Sequence, residues 1–325
     1  MAVITRPLVV VNQIGAFVAP SLAEFGERIE VVAGERGCAA PWDVGYADIL
    51  LTAPTPAWRG APLHPPQGWQ QRSPRWVQIA SAGVDGFPQW LLRGRTVTCG
   101  RGDAAVPIAE YVLTAILLRA KRLDAIAPDG PDGWLQAKAT PPLGTLEGQT
   151  LGLAGYGAIG RAVAVRARAF GMRVLAWRRG PWDHADTDVQ PVATPEALVE
   201  QSDHLVLALP LTVQTALCVN AALLARARIG LHLINVARGG LIDQDALLDA
   251  LDRGQVGFAT LDVTTPEPLP RGHPFYSHPA IRLTPHLSWT GPAVSQNLAR
   301  RIAENLNRFL GDRPLLDVVD ADRGY

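Results

Sequence analysis

Residues 150–179, TLGLAGYGAIGRAVAVRARAFGMRVLAWRR, restrict the fold of this chain more than any other stretch. The apolar run Thr150 to Ala154 reads as a buried strand. Gly155-Tyr156-Gly157-Ala158-Ile159-Gly160 then fits G-x-G-x-x-G, and Ile159, Val163, Ala167 and Phe170 recur at helical spacing before Gly171. Arg173 to Trp177 reads as a second strand. In such a unit Gly155 permits the tight turn, Gly157 lets backbone amides approach a pyrophosphate, and Gly160 lets the helix pack close to the sheet. The helix N-terminus presents its positive dipole end to the phosphates. The spacing by itself is a weak signal. The strand before it and the helix after it make it a dinucleotide-binding one, with Gly155, Gly157, Ala158, Ile159 and Gly160 as the expected contacts.

The end of the second strand bears on which dinucleotide. An NAD site places an Asp or Glu about 20 residues after the glycines, to bind the ribose 2′-hydroxyl. Here Arg178 and Arg179 stand in that place, before Gly180. A carboxylate repels a 2′-phosphate and a guanidinium pairs with it, so NADP(H) is expected over NAD(H).

The remaining chain supports a two-domain α/β fold. Its 325 residues suffice for two cores. Acidic and basic residues balance at 30 each, which leaves no electrostatic footprint for nucleic acid or an anionic membrane. The three cysteines, Cys38, Cys99 and Cys218, form neither a disulfide framework nor a metal cluster, so a reducing cytoplasm and no metal are expected. There is no signal-peptide pattern and no apolar run near the ~20 residues of a membrane helix. Leu8 to Val11, Ile29 to Val32, Ile49 to Thr52 and Trp76 to Ala80 read as strands, Ser21 to Arg28 as a helix, and Pro54 to Pro74 as an irregular connection. Residues 106–123 read as a long helix with Pro107 in its first turn. A break follows at Pro128 to Gly133. Beyond Arg179, strands at Asp203 to Leu209, Leu231 to Val236, Val256 to Val263 and Ile281 to Thr284 alternate with helices at Ala221 to Ala227 and Gln244 to Arg253. Asn220 and Asp243 are candidate caps for these helices. Such alternation implies a doubly wound parallel sheet. Gln296 to Leu310 reads as a helix, and Leu315 to Val319 as a strand returning to the first domain. The expected domains are 1–98 with 292–325, and an inserted cofactor domain at 99–291.

Ligands of open parallel sheets bind beyond the carboxyl ends of the strands. Those ends carry Gly155 to Gly160, Pro210-Leu211-Thr212, Ala237-Arg238-Gly239, Asp262 through Glu267, and Pro285-His286. A phosphate loop, an arginine, two carboxylates and a histidine suit hydride transfer. Arg238 can hold a substrate carboxylate bidentately. His286 can exchange a proton with the substrate oxygen, and Glu267 can hold the imidazole and favour its charged form. His64, His184, His204, His232, His273 and His278 are read as structural, and His273 and His278, which flank a Gly/Pro/aromatic loop, lack the partner set of a metal site. Ser81-Ala82-Gly83-Val84-Asp85-Gly86, directly after a strand, is either an ordinary turn or a loop of anion-binding amides.

These residues resemble the D-isomer-specific 2-hydroxyacid dehydrogenase family over nearly the whole chain, most closely over residues 77–291. SAGVDGF resembles its substrate-carboxylate loop, PIAEYVL its interdomain helix, GYGAIG its dinucleotide motif and LPLTVQT its segment near the adenosine. NVARGGLIDQDAL resembles the arginine motif and marks Arg238, LDVTTPEPLP marks Glu267, and TPHLSWTG marks His286. The resemblance implies a Rossmann cofactor domain inserted into a smaller flavodoxin-like substrate domain. It further implies reversible reduction of a 2-keto acid to the (R)-hydroxy acid, usually in a homodimer joined through cofactor domains. It adds Ala82 and Gly83 as substrate contacts, Pro210 and Val236 as cofactor contacts, and Asp262 near the nicotinamide carboxamide. Arg178 and Arg179 resemble the NADPH-preferring glyoxylate/hydroxypyruvate reductases. Trp289 and Gly291 depart from the family pattern, which leaves the substrate pocket open. The alternatives are an NAD-dependent phosphoglycerate dehydrogenase and a non-catalytic dinucleotide-sensing protein on the same fold. Loss of the Arg/Glu/His set would favour the latter, and this chain keeps all three.

Overall fold

A computed structural model describes residues 6–35, 37–123, 126–138, 142–182 and 188–325. The chain divides into two compact units, Met1–Asp103 with Gly291–Tyr325, and Ala104–Thr290. The second is thus inserted into the first. Both are α/β units built on parallel sheets.

Among its described residues the first unit has five strands: β1 (Leu8–Asn12), β2 (Ile29–Ala33), β3 (Ile49–Thr52), β4 (Trp76–Ile79) and β5 (Thr96–Cys99). They pair in the order β2-β1-β3-β4-β5, the flavodoxin-like arrangement. Every residue of β3 and β4 is buried, because both faces of the sheet are covered. Strand alternation divides the side chains between two cores. Ile49 and Leu51 pack with Leu298, Ile302 and Leu306 of the helix Val294–Leu310. Leu50 joins Trp58, Val77 and Val97 on the opposite face.

Several expectations change here. The helix expected over Ser21 to Arg28 is Ala19–Ala23 followed by a separate 3₁₀ turn, Gly26–Arg28, because Gly26 takes φ 52° and interrupts it. The connection from Pro54 to Pro74 contains two single-turn helices, Pro56–Arg59, capped by Thr55, and Trp69–Arg72. Leu315 to Val319 forms only one isolated antiparallel bridge, Thr98 to Val318. Asp317 at φ 54° breaks the extended run, and the buried Asn305 side chain bonds both backbone groups of Leu316.

Among its described residues the second unit has seven strands: β6 (Thr150–Ala154), β7 (Arg173–Trp177), β8 (Gln190–Pro191), β9 (His204–Leu207), β10 (Leu231–Asn235), β11 (Val256–Leu261) and β12 (Ile281–Leu283). Their order, β12-β11-β10-β9-β6-β7-β8, is that of a Rossmann sheet. From β6 the chain winds outward through β7 and β8, then returns to β9 on the other side of β6. The reversal between β6 and β9 opens a crevice beyond their carboxyl ends, and the glycine turn lies there.

Two cores flank this sheet as well. Leu151 and Leu153 of β6 with Val206 of β9 pack under Ile108, Val112 and Ile116 of the helix Ala105–Lys121 and Val163 of the helix Ala158–Ala169. Leu205 and Leu207 point the other way, into a core shared with Leu247 and Leu251 of the helix Gln244–Asp252. The break expected at Pro128 to Gly133 is the start of a further helix, Pro131–Lys138. Another, Pro195–Gln201, opens on a Thr194 cap with proline in its first turn. Asn220 and Asp243 cap their helices as expected, through the N–H groups of Leu223 and Ala246. The first of these helices stops at Leu224, sooner than expected.

Candidate active site

The glycine turn follows β6 directly. Gly155 takes φ 103°, and a Cβ there would lie 2.4 Å from the Ala208 carbonyl oxygen. A Cβ on Gly160 would lie 2.4 Å from the Gly155 carbonyl oxygen, so this glycine lets the helix sit against the turn. Gly157 is different. Among the described residues nothing lies within 4 Å of where its Cβ would be. Packing among those residues does not require a glycine there, and the space is open to a ligand. Gly157 is the N-cap of Ala158–Ala169, which has no side-chain cap and no acidic residue in its first turn. The uncapped amides of a helix N-terminus beside open space fit a dinucleotide pyrophosphate.

Arg178 and Arg179 leave the end of β7, the first half-buried and the second exposed. Beyond β9, Thr215 clamps the Pro210 loop. Its hydroxyl donates to the Pro210 carbonyl at 2.7 Å and accepts from the Thr212 N–H at 2.8 Å. Val236, at the end of β10, is buried in the core that holds Val206 and Ile234.

Arg238 lies on a turn shaped by the fully buried Asn235. The Asn235 side chain accepts from the Ala237 N–H at 3.1 Å and donates to the Arg238 carbonyl at 2.9 Å. The Arg238 guanidinium donates to the Ala237 carbonyl at 2.8 Å. Next along the chain, a Cβ on Gly239 would fall 2.0 Å from the Thr264 carbonyl carbon. The backbone after β11 crosses there, and only a glycine admits it. Two loops distant in sequence, 237–241 and 262–268, are thereby pressed together.

His286 and Glu267 meet across this region. The His286 Nδ1 lies 3.0 Å from the Glu267 Oε2, and the other Glu267 oxygen accepts from the Thr264 N–H at 3.1 Å. His286 has φ 55°, a left-handed conformation uncommon outside glycine. Asp262 supports it from below. Its carbonyl accepts the His286 N–H at 2.9 Å, and its carboxylate accepts the N–H groups of Leu287 and Ser288, each at 2.9 Å. Asp262, expected beside the nicotinamide carboxamide, is 1% exposed and braces the histidine turn.

Of the other histidines, His204 and His232 form a buried pair, Nδ1 to Nδ1 at 3.1 Å, closed by Gln149 and Thr260. Burial holds His204 down at about 4 and His232 well below the usual histidine value. His273 caps the turn at Phe275, and His278 lies 3.3 Å from Asp252. His184 falls outside the described residues. Among the described residues no cluster could hold a metal ion.

The loop 81–86 belongs to the first unit. The Ser81 hydroxyl donates to the Gly83 carbonyl at 2.7 Å, Val84 and Phe87 anchor the loop in the core, and Ala82 is exposed. Sequence reading missed Asn235 and Thr284. Asn235 had an available signal, an amide three residues before the candidate arginine.

The Rossmann sheet and its glycine turn define a dinucleotide-binding protein. The family model "D-isomer specific 2-hydroxyacid dehydrogenase, NAD binding domain" matches residues 113–288, and the chain belongs to that family. It is 37% identical to a glycerate dehydrogenase of Methylorubrum extorquens over 254 residues, 75% of this chain and 78% of that protein. It is 32% identical to a glyoxylate/hydroxypyruvate reductase A of Yersinia enterocolitica over 225 residues, 68% of this chain and 69% of that one. Among solved structures it is similar to a D-isomer specific 2-hydroxyacid dehydrogenase of Xanthobacter autotrophicus in complex with NADPH and MES. That likeness has a TM-score of 0.78 at 25% identity and covers 98% of this chain and 100% of the other. No helix among the described residues is long and apolar enough to cross a membrane.

Proposed function

We propose that this enzyme is an NADP(H)-preferring reductase of small 2-keto acids, of the glyoxylate or hydroxypyruvate class, with Arg238, Glu267 and His286 as its catalytic residues. The observation that carries the proposal is the His286–Glu267 pair at 3.0 Å, held on a turn that touches the Arg238 loop. Residues 104–290 are the proposed cofactor domain and the first unit the substrate domain. Gly155, Gly157, Ala158, Ile159 and Gly160 bind the pyrophosphate, Pro210, Val236 and Asp262 border the cofactor, and Arg178 and Arg179 receive the 2′-phosphate. The names of the Methylorubrum and Yersinia relatives support the substrate class, and the NADPH-bound relative supports the cofactor.

When bound, the reduced nicotinamide supplies the hydride that the keto carbon accepts. The planar Arg238 fork holds the substrate carboxylate and orients the adjoining carbonyl. Within the first unit, the backbone at Ala82 and Gly83 is the proposed anion-binding loop. Glu267, as a carboxylate, only accepts, so His286 Nδ1 bears a hydrogen and Nε2 is left for the substrate oxygen. In reduction the imidazolium Nε2–H gives its proton to the carbonyl oxygen as the hydride arrives, leaving a neutral ring. Oxidation runs the same transfer in reverse.

The proposed assembly is a homodimer in the cytoplasm, supported by exposed apolar side chains such as Val106, Trp134, Leu135 and Val165 and by three unpaired cysteines. The functional test is a keto-acid panel assayed with NADPH and with NADH, on wild type and on Arg178→Asp with Arg179→Ser. The double variant should lose NADPH use more than NADH use. An unchanged ratio removes both arginines from the 2′-phosphate site.

A further inference from the structure

A chain of side chains outside the reacting groups runs beneath the histidine turn. Tyr111 is half-buried on the helix Ala105–Lys121, and its hydroxyl lies 2.7 Å from the Thr284 Oγ1. The Thr284 hydroxyl lies 2.5 Å from the Asp262 Oδ1 and donates to it. A threonine has one hydroxyl hydrogen, and a carboxylate can only accept. With the Thr284 hydrogen committed to Asp262, the phenol of Tyr111 must donate to Thr284. The chain therefore has one direction, from Tyr111 to Thr284 to Asp262.

Asp262 is where this chain meets the reaction. Its Oδ1 accepts Thr284 and the Leu287 N–H, its Oδ2 accepts the Ser288 N–H, and its carbonyl accepts the His286 N–H. The backbone from His286 to Ser288 is thus wrapped around one aspartate. A left-handed non-glycine residue is strained and persists only where its surroundings over-determine it. Released from Asp262, the His286 backbone would relax toward the extended region and carry the imidazole away from Glu267.

We infer that Tyr111 and Thr284 are positioning residues for proton transfer: through the Asp262 carboxylate they fix the left-handed His286 turn. The inference rests on the proposed role of His286 as the acid. It is separate from the cofactor contact proposed for Asp262, because it puts the effect of Tyr111 and Thr284 on turnover and leaves NADPH affinity alone.

The test compares Thr284→Val, Thr284→Ser, Tyr111→Phe and the Tyr111→Phe/Thr284→Val double variant with wild type in keto-acid reduction. NADPH affinity is followed by fluorescence titration and folding by thermal melting. Thr284→Val should lower kcat by about 10- to 100-fold, the scale of a small misplacement of a catalytic group. Its NADPH Kd should stay within about twofold of wild type and its solvent deuterium isotope effect should rise, as proton transfer becomes slower than the other steps. Thr284→Ser restores the hydroxyl and should recover most of that loss. Tyr111→Phe should lower kcat by about 3- to 10-fold, the worth of one hydrogen bond, and should add little on top of Thr284→Val. Tyr111→Phe keeps its ring and so serves if Thr284→Val fails to fold. Wild-type kcat in Thr284→Val, a serine variant as impaired as the valine one, or simple additivity of the two changes overturns the inference. So does a kcat loss matched by weaker NADPH binding, which would place the cluster on the cofactor. His286→Ala in the same assay separates the two levels. Wild-type turnover there removes the acid reading and this inference with it, whereas a large loss beside an unaffected Thr284→Val removes the inference alone.

Discussion

Replacing Gly157 and Gly160 separately by alanine divides what the glycine turn does for the fold from what it does for a ligand. At Gly160 the new Cβ would sit 2.4 Å from the Gly155 carbonyl oxygen, roughly 1 Å inside van der Waals contact. Helix and turn would have to separate, and overpacking of this kind costs about 1–3 kcal/mol. Alanine recovers up to about 1 kcal/mol of helix propensity, which leaves a net loss of up to about 2 kcal/mol. In a unit of this size that lowers Tm by about 2–4 °C per kcal/mol. At Gly157 the same methyl meets none of the described residues within 4 Å, and φ −96° suits any residue. The small penalty of alanine at an N-cap is offset by the reduced freedom of the unfolded chain, so stability should change by less than about 0.5 kcal/mol. The methyl nevertheless occupies the space in which a phosphate oxygen would approach the helix amides. Loss of one such charge-assisted contact, about 1.5–3 kcal/mol, weakens binding by about 10- to 100-fold. Thermal melting of the ligand-free protein and fluorescence titration with NADPH read the two effects apart. NADPH binding at wild-type strength by Gly157→Ala, or a melting loss in Gly157→Ala equal to that in Gly160→Ala, would refute the reasoning.

Arg238→Lys keeps the charge but loses the planar fork, so kcat/KM for keto acids should fall steeply while melting stays near wild type; near wild-type kinetics would show that Arg238 does not bind the carboxylate. His286→Ala should lower kcat by about 10²–10⁴-fold. Glu267→Gln keeps an acceptor for the Thr264 N–H but removes the charge beside the ring, so it should lose less than His286→Ala; equal losses in the two steady-state assays would mean that Glu267 does more than hold the ring. Acid lability should trace to the His204–His232 pair. The fold keeps His204 neutral down to about 4 against an ordinary 6.5, so the unfolded chain binds the proton first. Stability present above pH 6.5 is lost as the pH falls toward 4, by about 3 kcal/mol at most for His204. Melting of wild type and His204→Asn between pH 7 and 4.5 isolates this effect from Asp103, which burial pushes up to about 6 and which acts in the opposite direction. Parallel pH profiles for the two proteins would clear His204 of the role.

Strands β6 and β7 occupy the residues that their apolar runs and flanking glycines mark, and the helix between them starts where the glycine motif places it. Local periodicity determines such elements because one short window contains the whole signal. The parallel, doubly wound class follows from alternation, and Arg238, Glu267 and His286 stand out as candidates because each follows a strand in a motif of its own. What Asp262 holds was not legible. Its donors lie at 284, 287 and 288, and only the pairing of β11 with β12 brings them to it. Nor does any local pattern reveal why residue 239 is glycine, since the obstructing atoms belong to Thr264. The end of the chain makes the same point: Leu315 to Val319 has the composition of a strand, yet Asn305 and the left-handed Asp317 hold it to a single bridge. Composition and periodicity determine which segments are strands and helices. Strand order decides which distant residues meet, and those meetings set the conformations of His286, Gly239 and the chain terminus.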